Sequence, residues 1–246
     1  MNLLVCISKA PDTTSKIAFT DGGKKFDENG VQFIVNPYDE WYALVRAIEL
    51  KEAHGGSVTT ITVGGADNDP IIRKALAIGA DKAVRVDKDA ADAYDVAAEI
   101  AAYAKANAFD IVFCGKETIN HNGSIVGGMV AEMMDLPYVS LATKLETAGG
   151  VSTITRDAGA GEEVVEVSGA LVVSAAKGMA EQRIPNMRGI MAARSKPLEV
   201  IAGANSTSLT SVEVFELPEE KGDCTMIDAE NPAELIRLLN EEAKVL

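Results

Sequence analysis

Residues 58–86 read VTTITVGGADNDPIIRKALAIGADKAVRV. Val58 to Val63 is a β-branched run of strand length, and it ends at Gly64-Gly65, where the chain can turn tightly. Apolar residues then recur at helical spacing from about Pro70 to Ile78, and Gly79 stands where a helix C-terminus favours glycine. A second strand-like run, Lys82 to Val86, follows at once. Strand, helix and strand within thirty residues make a βαβ unit, which implies a parallel sheet.

The same alternation extends outward. On the N-terminal side, Leu3 to Ile7 is an unbroken apolar run, as expected of a strand buried on both faces. A loop rich in Asp, Thr, Lys and Gly follows it. Asn36-Pro37 is read as opening a helix, with Asn as cap, Pro in the first turn, and Asp39 and Glu40 complementing the positive end of the dipole. Trp41, Leu44, Val45 and Ile48 carry its apolar stripe, and Gly55-Gly56 ends it. On the C-terminal side, an Ala-rich helix over 91–107 precedes a strand from Asp110 to Cys114 and a helix around Val126 to Met134. After Pro137 the pieces shorten: Tyr138–Ala142, Val151–Arg156, Val164–Val167 and Leu171–Ala175 are expected to extend the sheet or form a small antiparallel flap. Lys177 to Arg188 shows no period and reads as a long exposed loop, a feature uncommon without a function. The tail from about 202 to 231 is polar, and Pro232 to Ala243 predicts a last amphipathic helix.

Composition narrows the classes of function. With 246 residues, 47% apolar and 24% charged, the chain has the balance of a soluble protein of one domain. No stretch approaches the roughly 20 apolar residues that span a bilayer, and Met1 to Ile7 lacks the basic lead of a signal peptide, so a cytoplasmic location without membrane insertion is expected. A formal charge of −14 without a basic stripe counts against nucleic acid. Cys6, Cys114 and Cys224 have no C-x-x-C spacing and read as reduced thiols, and the two histidines, His54 and His121, sit in no ligand-like cluster, so no metal site is expected. No Ser-His-Asp or Cys-His arrangement can be assembled, which argues against a hydrolase and leaves no catalytic residue.

In open parallel sheets ligands bind outside the carboxyl ends of the strands. Those ends are Cys6-Ile7-Ser8, Val63-Gly64-Gly65 and Cys114-Gly115-Lys116. The loop from Gly115 to Ser124 is small and polar, and the helix after it presents a positive N-terminus, so a nucleotide phosphate is the natural ligand. The loop is neither G-x-G-x-x-G nor a Walker P-loop. Each feature also has a plain structural reading: Gly64-Gly65 as a turn, Asn36 to Asp39 as a cap, Lys116 as a solvated lysine and His121 as an incidental loop residue.

Taken in order, Asn36-Pro37-Tyr38-Asp39-Glu40, Leu50-Lys51-Glu52, Arg73 to Asp81 and Gly115-Lys116-Glu117-Thr118-Ile119 resemble the beta subunit of electron transfer flavoproteins in sequence and spacing. Arg156, Glu163, the run Leu171 to Ser174 and the segment Glu181 to Met191 continue the match, which covers residues 1 to about 201. The resemblance implies a Rossmann-like α/β fold, mainly parallel, with a small β extension. It implies an adenine-nucleotide-binding domain over 1–201 that includes a recognition loop at 177–196, and a C-terminal arm and helix over 202–246.

It implies a heterodimer whose alpha-type partner holds most of the redox FAD, while this subunit holds AMP. The nucleotide contacts carried over are Cys6 and Val63 through their backbones, Asn36, Pro37, Tyr38 and Asp39 near base and ribose, and Gly115, Lys116, Asn120, Asn122, Gly123, Ser124, Ile125 and Val126 around the phosphate. Where family members place aspartates and a Gln-Thr pair in that loop, this chain has Asn120, His121, Asn122, Ile125 and Val126, so backbone N–H groups of Gly123 to Val126 are expected to do most of the holding. In the loop, Arg183, Pro185, Met187, Arg188 and Ile190 are the partner-docking residues, with Met187 as the apolar anchor. Electrons would arrive from flavin dehydrogenases, such as those of fatty acid oxidation, and leave to a quinone-linked acceptor. Two rivals stand beside this: an electron-bifurcating subunit that holds a second FAD, and a stand-alone adenine-nucleotide module without redox role.

Overall fold

The computed structural model describes residues 1–246. The chain begins with strand β1 (Asn2–Cys6). Four short strands, β2 (Lys9–Pro11), β3 (Phe19–Thr20), β4 (Lys25–Phe26) and β5 (Phe33–Val35), pair as two small antiparallel ladders, β2 with β5 and β3 with β4. Helix α1 (Glu40–His54) leads to β6 (Ser57–Val63), α2 (Asp69–Ile78) to β7 (Lys82–Asp87), and α3 (Ala93–Asn107) to β8 (Ile111–Gly115). Next come α4 (Val126–Met134), β9 (Tyr138–Ala148), β10 (Val151–Asp157), β11 (Glu162–Ser168), β12 (Leu171–Ala175), α5 (Met187–Ala193), β13 (Leu198–Ala202) and α6 (Pro232–Arg237).

Nine strands form one sheet in the order β11-β10-β9-β12-β8-β1-β6-β7-β13. Parallel pairing runs from β9 to β13, and the two ladders that β10 makes, with β9 and with β11, are antiparallel. The expected β extension is therefore part of the same sheet. From β1 the chain steps through α1 and α2 to β6 and β7, and α3 then carries it back across to β8 on the other side of β1. That reversal puts the topological switch point between β1 and β8, where open α/β sheets form their ligand crevice.

Alternation along β1 divides the core. Leu3 and Val5 pack with Trp41, Leu44 and Ile48 of α1 and Ile72 and Leu76 of α2. Leu4 and Cys6 face the other way, with Ile100 of α3 and Val130 of α4. Both layers are apolar and buried, and each fully buried large side chain contributes on the order of 1.5–3 kcal/mol, which makes the central strands a fixed platform.

Three expectations need correction. Asn36 does not cap α1: the helix starts at Glu40, its cap position is Asp39, and no side chain bonds the first turn from there. Asn36 instead spends its amide on another loop, as described below. The stretch read as a loop up to Arg188 contains the start of α5, capped by Asn186, whose side chain accepts a hydrogen bond from Gly189 N at 2.8 Å. Residues 198–202 form the edge strand β13 on β7. Its largely exposed, mixed composition hides it from any apolar-run criterion.

Candidate functional site

At the switch point β1 ends in Cys6 and β8 ends in Cys114-Gly115. The two thiols are buried against each other with Sγ atoms 3.7 Å apart, although 108 residues separate them in sequence. Burial and the neighbouring thiol push Cys6 well above its ordinary value, with Glu40 acting in the same direction. The Cys6 sulfur is therefore a protonated packing group in this crevice.

The first turn of α1 closes the crevice from one side. Asp39 is 1% exposed and Glu40 5%. Asp39 Oδ2 accepts a hydrogen bond from Glu117 N at 2.8 Å, which fixes the loop after β8. Glu40 accepts two from Ser8, from its backbone N at 2.7 Å and its Oγ at 2.7 Å, which fixes the loop after β1. Neighbouring carboxylates thus fasten the two strand ends that flank the switch point. Burial pushes both carboxyl groups up, Glu40 to about 8. Gly115 is what lets them approach: a Cβ there would lie 3.0 Å from both Asp39 Cβ and Glu40 Cγ and 3.2 Å from Glu117 O.

Asn36 is fully buried and donates from Nδ2 to Glu117 O at 3.1 Å, while its Oδ1 has no partner. An orphaned buried acceptor carries a desolvation cost of about 1–3 kcal/mol unless something donates to it. It suits a hydroxyl or amino group of a bound ligand. Pro37 is half-buried beside it, and Tyr38 is 55% exposed.

The loop after β8 supplies donors. Asn122 and Ser124 take left-handed φ values of 48° and 56° on either side of Gly123. Such alternation gathers successive N–H groups into anion-binding concavities. No backbone acceptor within the chain takes the N–H groups of Gly123, Ser124, Ile125 or Val126. Ile125 sits at the cap position of α4 without a side-chain cap bond, so the helix start adds its positive dipole end to these free donors. Gly123 opens on free space, with only Ile125 Cγ1 near a would-be Cβ. Asn120, Asn122, Ser124 and Ile125 are exposed and Val126 is half-buried. Lys116 pairs with Glu117 at 2.6 Å, so its charge is already matched within the loop.

The end of β6 closes the other flank at Val63, half-buried, and at the turn Gly64-Gly65. There the chemistry reverses. A cleft between the β6 and β7 ends is lined by Gly65, Asp67, Asp87, Lys88 and Asp89. Lys9 is committed to Asp67 and Glu28. Asp87 is likewise paired, with Arg85 at 2.5 Å.

The segment 177–196 is anchored on α1 and α2. Arg183 does not face outward: it forms a two-pronged ion pair with Glu52 at 2.8 and 3.0 Å, and its carbonyl accepts from Trp41 Nε1 at 3.1 Å. It roots the loop. Arg73 holds the far end through the carbonyls of Ala193 and Lys196 at 2.9 and 2.7 Å. Pro185 is half-buried, whereas Met187, Arg188 and Ile190 are exposed, Met187 to 74%. Ile184 and Met191 are exposed beside them and were not singled out from sequence.

Comparison with known proteins agrees with this architecture. The sequence model of the electron transfer flavoprotein domain matches residues 24–206. The chain is 36% identical over 261 residues to the electron transfer flavoprotein subunit beta of Bacillus subtilis, covering all of both chains. It is 38% identical over 232 residues to the subunit beta of Syntrophomonas wolfei, covering 94% of this chain and 91% of that one. A third relative, the subunit beta of Thermoanaerobacterium thermosaccharolyticum, is 35% identical over 199 residues, or 80% of this chain and 76% of that one. With a family match over most of its length, and relatives of one name along all of it, the chain belongs to the electron transfer flavoprotein family as a beta-type subunit.

Proposed function

We propose that this chain carries electrons as half of a heterodimer with an alpha-type subunit, holding AMP in the β1/β8 crevice and docking flavin dehydrogenases through the loop at 177–196. Electrons leave to a quinone-linked acceptor. The division proposed for the chain is a nucleotide-binding domain over 1–201 and a partner-reaching arm over 202–246.

The observation that carries the nucleotide reading is the unspent hydrogen-bonding capacity around one crevice. Asn36 Oδ1 is a buried acceptor without a donor, and Gly123 to Val126 are donors without an acceptor. An adenine nucleotide would satisfy both, with its phosphate on the loop and α4 N-terminus and its base or ribose toward Asn36 and Tyr38. The neutral residues of that loop shift the work to the backbone, where each charge-assisted bond contributes about 1.5–3 kcal/mol. FAD, held mainly by the partner, supplies the redox chemistry. This chain's residues supply position, a dry crevice and a docking face.

The test is stoichiometric. The chain is purified with its alpha-type subunit and denatured, and the released nucleotides are counted. One AMP and one FAD per heterodimer are expected. Two FAD and no AMP would identify the bifurcating arrangement, and release of no adenine nucleotide beyond one FAD would overturn the crevice assignment.

A further inference from the structure

The carboxyl group of Glu40 is an unusual feature for a site that receives an anion. It is buried at the meeting point of β1, β8 and α1, with no cation bonded to it. On its own helix Asp39 adds a second buried carboxyl. From β1 comes the Cys6 thiol, and from β8 the Cys114 thiol that touches it. The loop after β8 brings Lys116 and Glu117, which are paired with each other. Nothing in this set offsets a negative charge on Glu40.

We infer that Glu40 is a proton-linked positioning residue of the crevice, fastening the end of β1 in both of its protonation states and favouring the anionic nucleotide when neutral. The inference rests on the nucleotide reading given above. When the carboxyl is ionised, Ser8 N–H and Oγ–H both donate to it. When it is protonated, the backbone N–H still donates to one oxygen, and the Ser8 hydroxyl turns to accept the new O–H. The loop therefore stays in place, and only the charge beneath the ligand changes.

A nucleotide seated on the crevice removes water from the strand ends and brings phosphate charge close by. Both effects disfavour the carboxylate form of a neighbouring acid. Binding must then draw a proton onto Glu40, and by reciprocity a proton on Glu40 must strengthen binding. Burial already pushes this group up to about 8, so the coupling falls in a working pH range. The Cys6 thiol is held well above its ordinary value and does not share that window.

The experiment uses the heterodimer freed of nucleotide and titrated with AMP by calorimetry. AMP's own phosphate has its second pKa near 6, so measurements start at pH 7, where the dianion dominates. Between pH 7 and pH 9 the wild-type affinity should fall by about fivefold, as expected when binding raises a group that titrates at about 8 by about one further pKa unit. At pH 8, buffers of different ionisation enthalpy should reveal uptake of a fraction of one proton. Glu40→Gln should bind with an affinity that does not change over this pH range and without that uptake. A flat wild-type profile, no proton uptake, or the same slope in Glu40→Gln would each overturn the proposal. If Glu40→Gln fails to assemble, the wild-type proton count decides alone. Absence of AMP binding at every pH would sink the nucleotide reading and this inference with it, whereas binding with a flat profile sinks only the inference.

Discussion

Asp39 and Glu40 are adjacent in sequence, yet each serves a different strand, one through Glu117 and the other through Ser8. The arrangement costs stability in a pH-dependent way that Glu40 makes measurable. Its ordinary value is 4.5, and burial raises it to about 8 in the folded chain. Between those limits the native state holds a proton that the unfolded chain has released, so the stability that Glu40 contributes is full below pH 4.5 and is lost as pH rises to about 8. Glu40→Gln removes this decline. In denaturant titrations over that range, wild type should lose up to ~1.4 kcal/mol per pH unit relative to the variant; parallel pH dependences would show that Glu40 ionises as a surface acid does. A surface acid is indeed what the sequence suggests. A glutamate in the first turn of a helix reads as a partner for the dipole, and only the convergence of two distant strand ends buries it. Asn36 misleads for the same reason: its amide reads as a cap, and tertiary structure spends it on Glu117 O.

At the scale of elements, the first turn of α1 joins the crevice to the docking loop. Glu40 faces the strand ends, while Trp41 beside it holds the loop through Arg183 O and lies under Lys74, whose Nζ is 4.7 Å from the ring centre. At the loop's far end α5 lies close on α2, where a side chain on Gly189 would collide with Ala77 O. Met187 is therefore presented from a fixed base. Burying it in a dehydrogenase pocket would contribute roughly 1.5–3 kcal/mol, so Met187→Ala should lower kcat/KM for reduction by the dehydrogenase about ten- to a hundredfold. The melting temperature and flavin spectrum should not move. Unchanged kcat/KM would mean that docking uses other residues, with Ile184 and Met191 the nearest candidates. The central strands and long helices were legible because burial on both faces leaves apolar runs and stripes. Helix α5 buries only Ala193, and β13 lies at a sheet edge, so neither writes a period into the sequence.

Across the whole molecule, the tail after β13 divides at about Phe215. Up to that point it is pinned to the domain. Lys88 bonds Asp95 at 2.6 Å, Glu99 at 2.8 Å and the Ser206 carbonyl at 2.6 Å, and Asp92 accepts from Leu209 N and Thr210 N. Phe215 then stacks on Phe19 at 5.2 Å and donates its N–H to Gly23 O at 2.7 Å. Beyond it every hydrogen bond and ion pair is local, as among Arg237, Glu234 and Glu241, while Leu217, Met226, Ile236, Val245 and Leu246 are exposed. The sequence shows this tail only as polar and irregular, because the pinning residues are hydrogen-bonding side chains without periodicity. A chain ending at Glu216 should accordingly melt within about 2 °C of the full chain, since little that stabilises the domain is lost. It should nevertheless fail to co-purify with the alpha-type subunit, because the exposed apolar residues beyond Glu216 are the material the arm offers a partner. Lys88→Met is the contrasting variant. It leaves Asp95 and Glu99, each 2% exposed, without their cation. Taking away the cation shared by these two carboxylates is destabilising, so the melting temperature should fall clearly below that of the wild type. A truncated chain that melts as low as Lys88→Met would place the stabilising contacts beyond Phe215, and one that still binds its partner would move the interface off the arm.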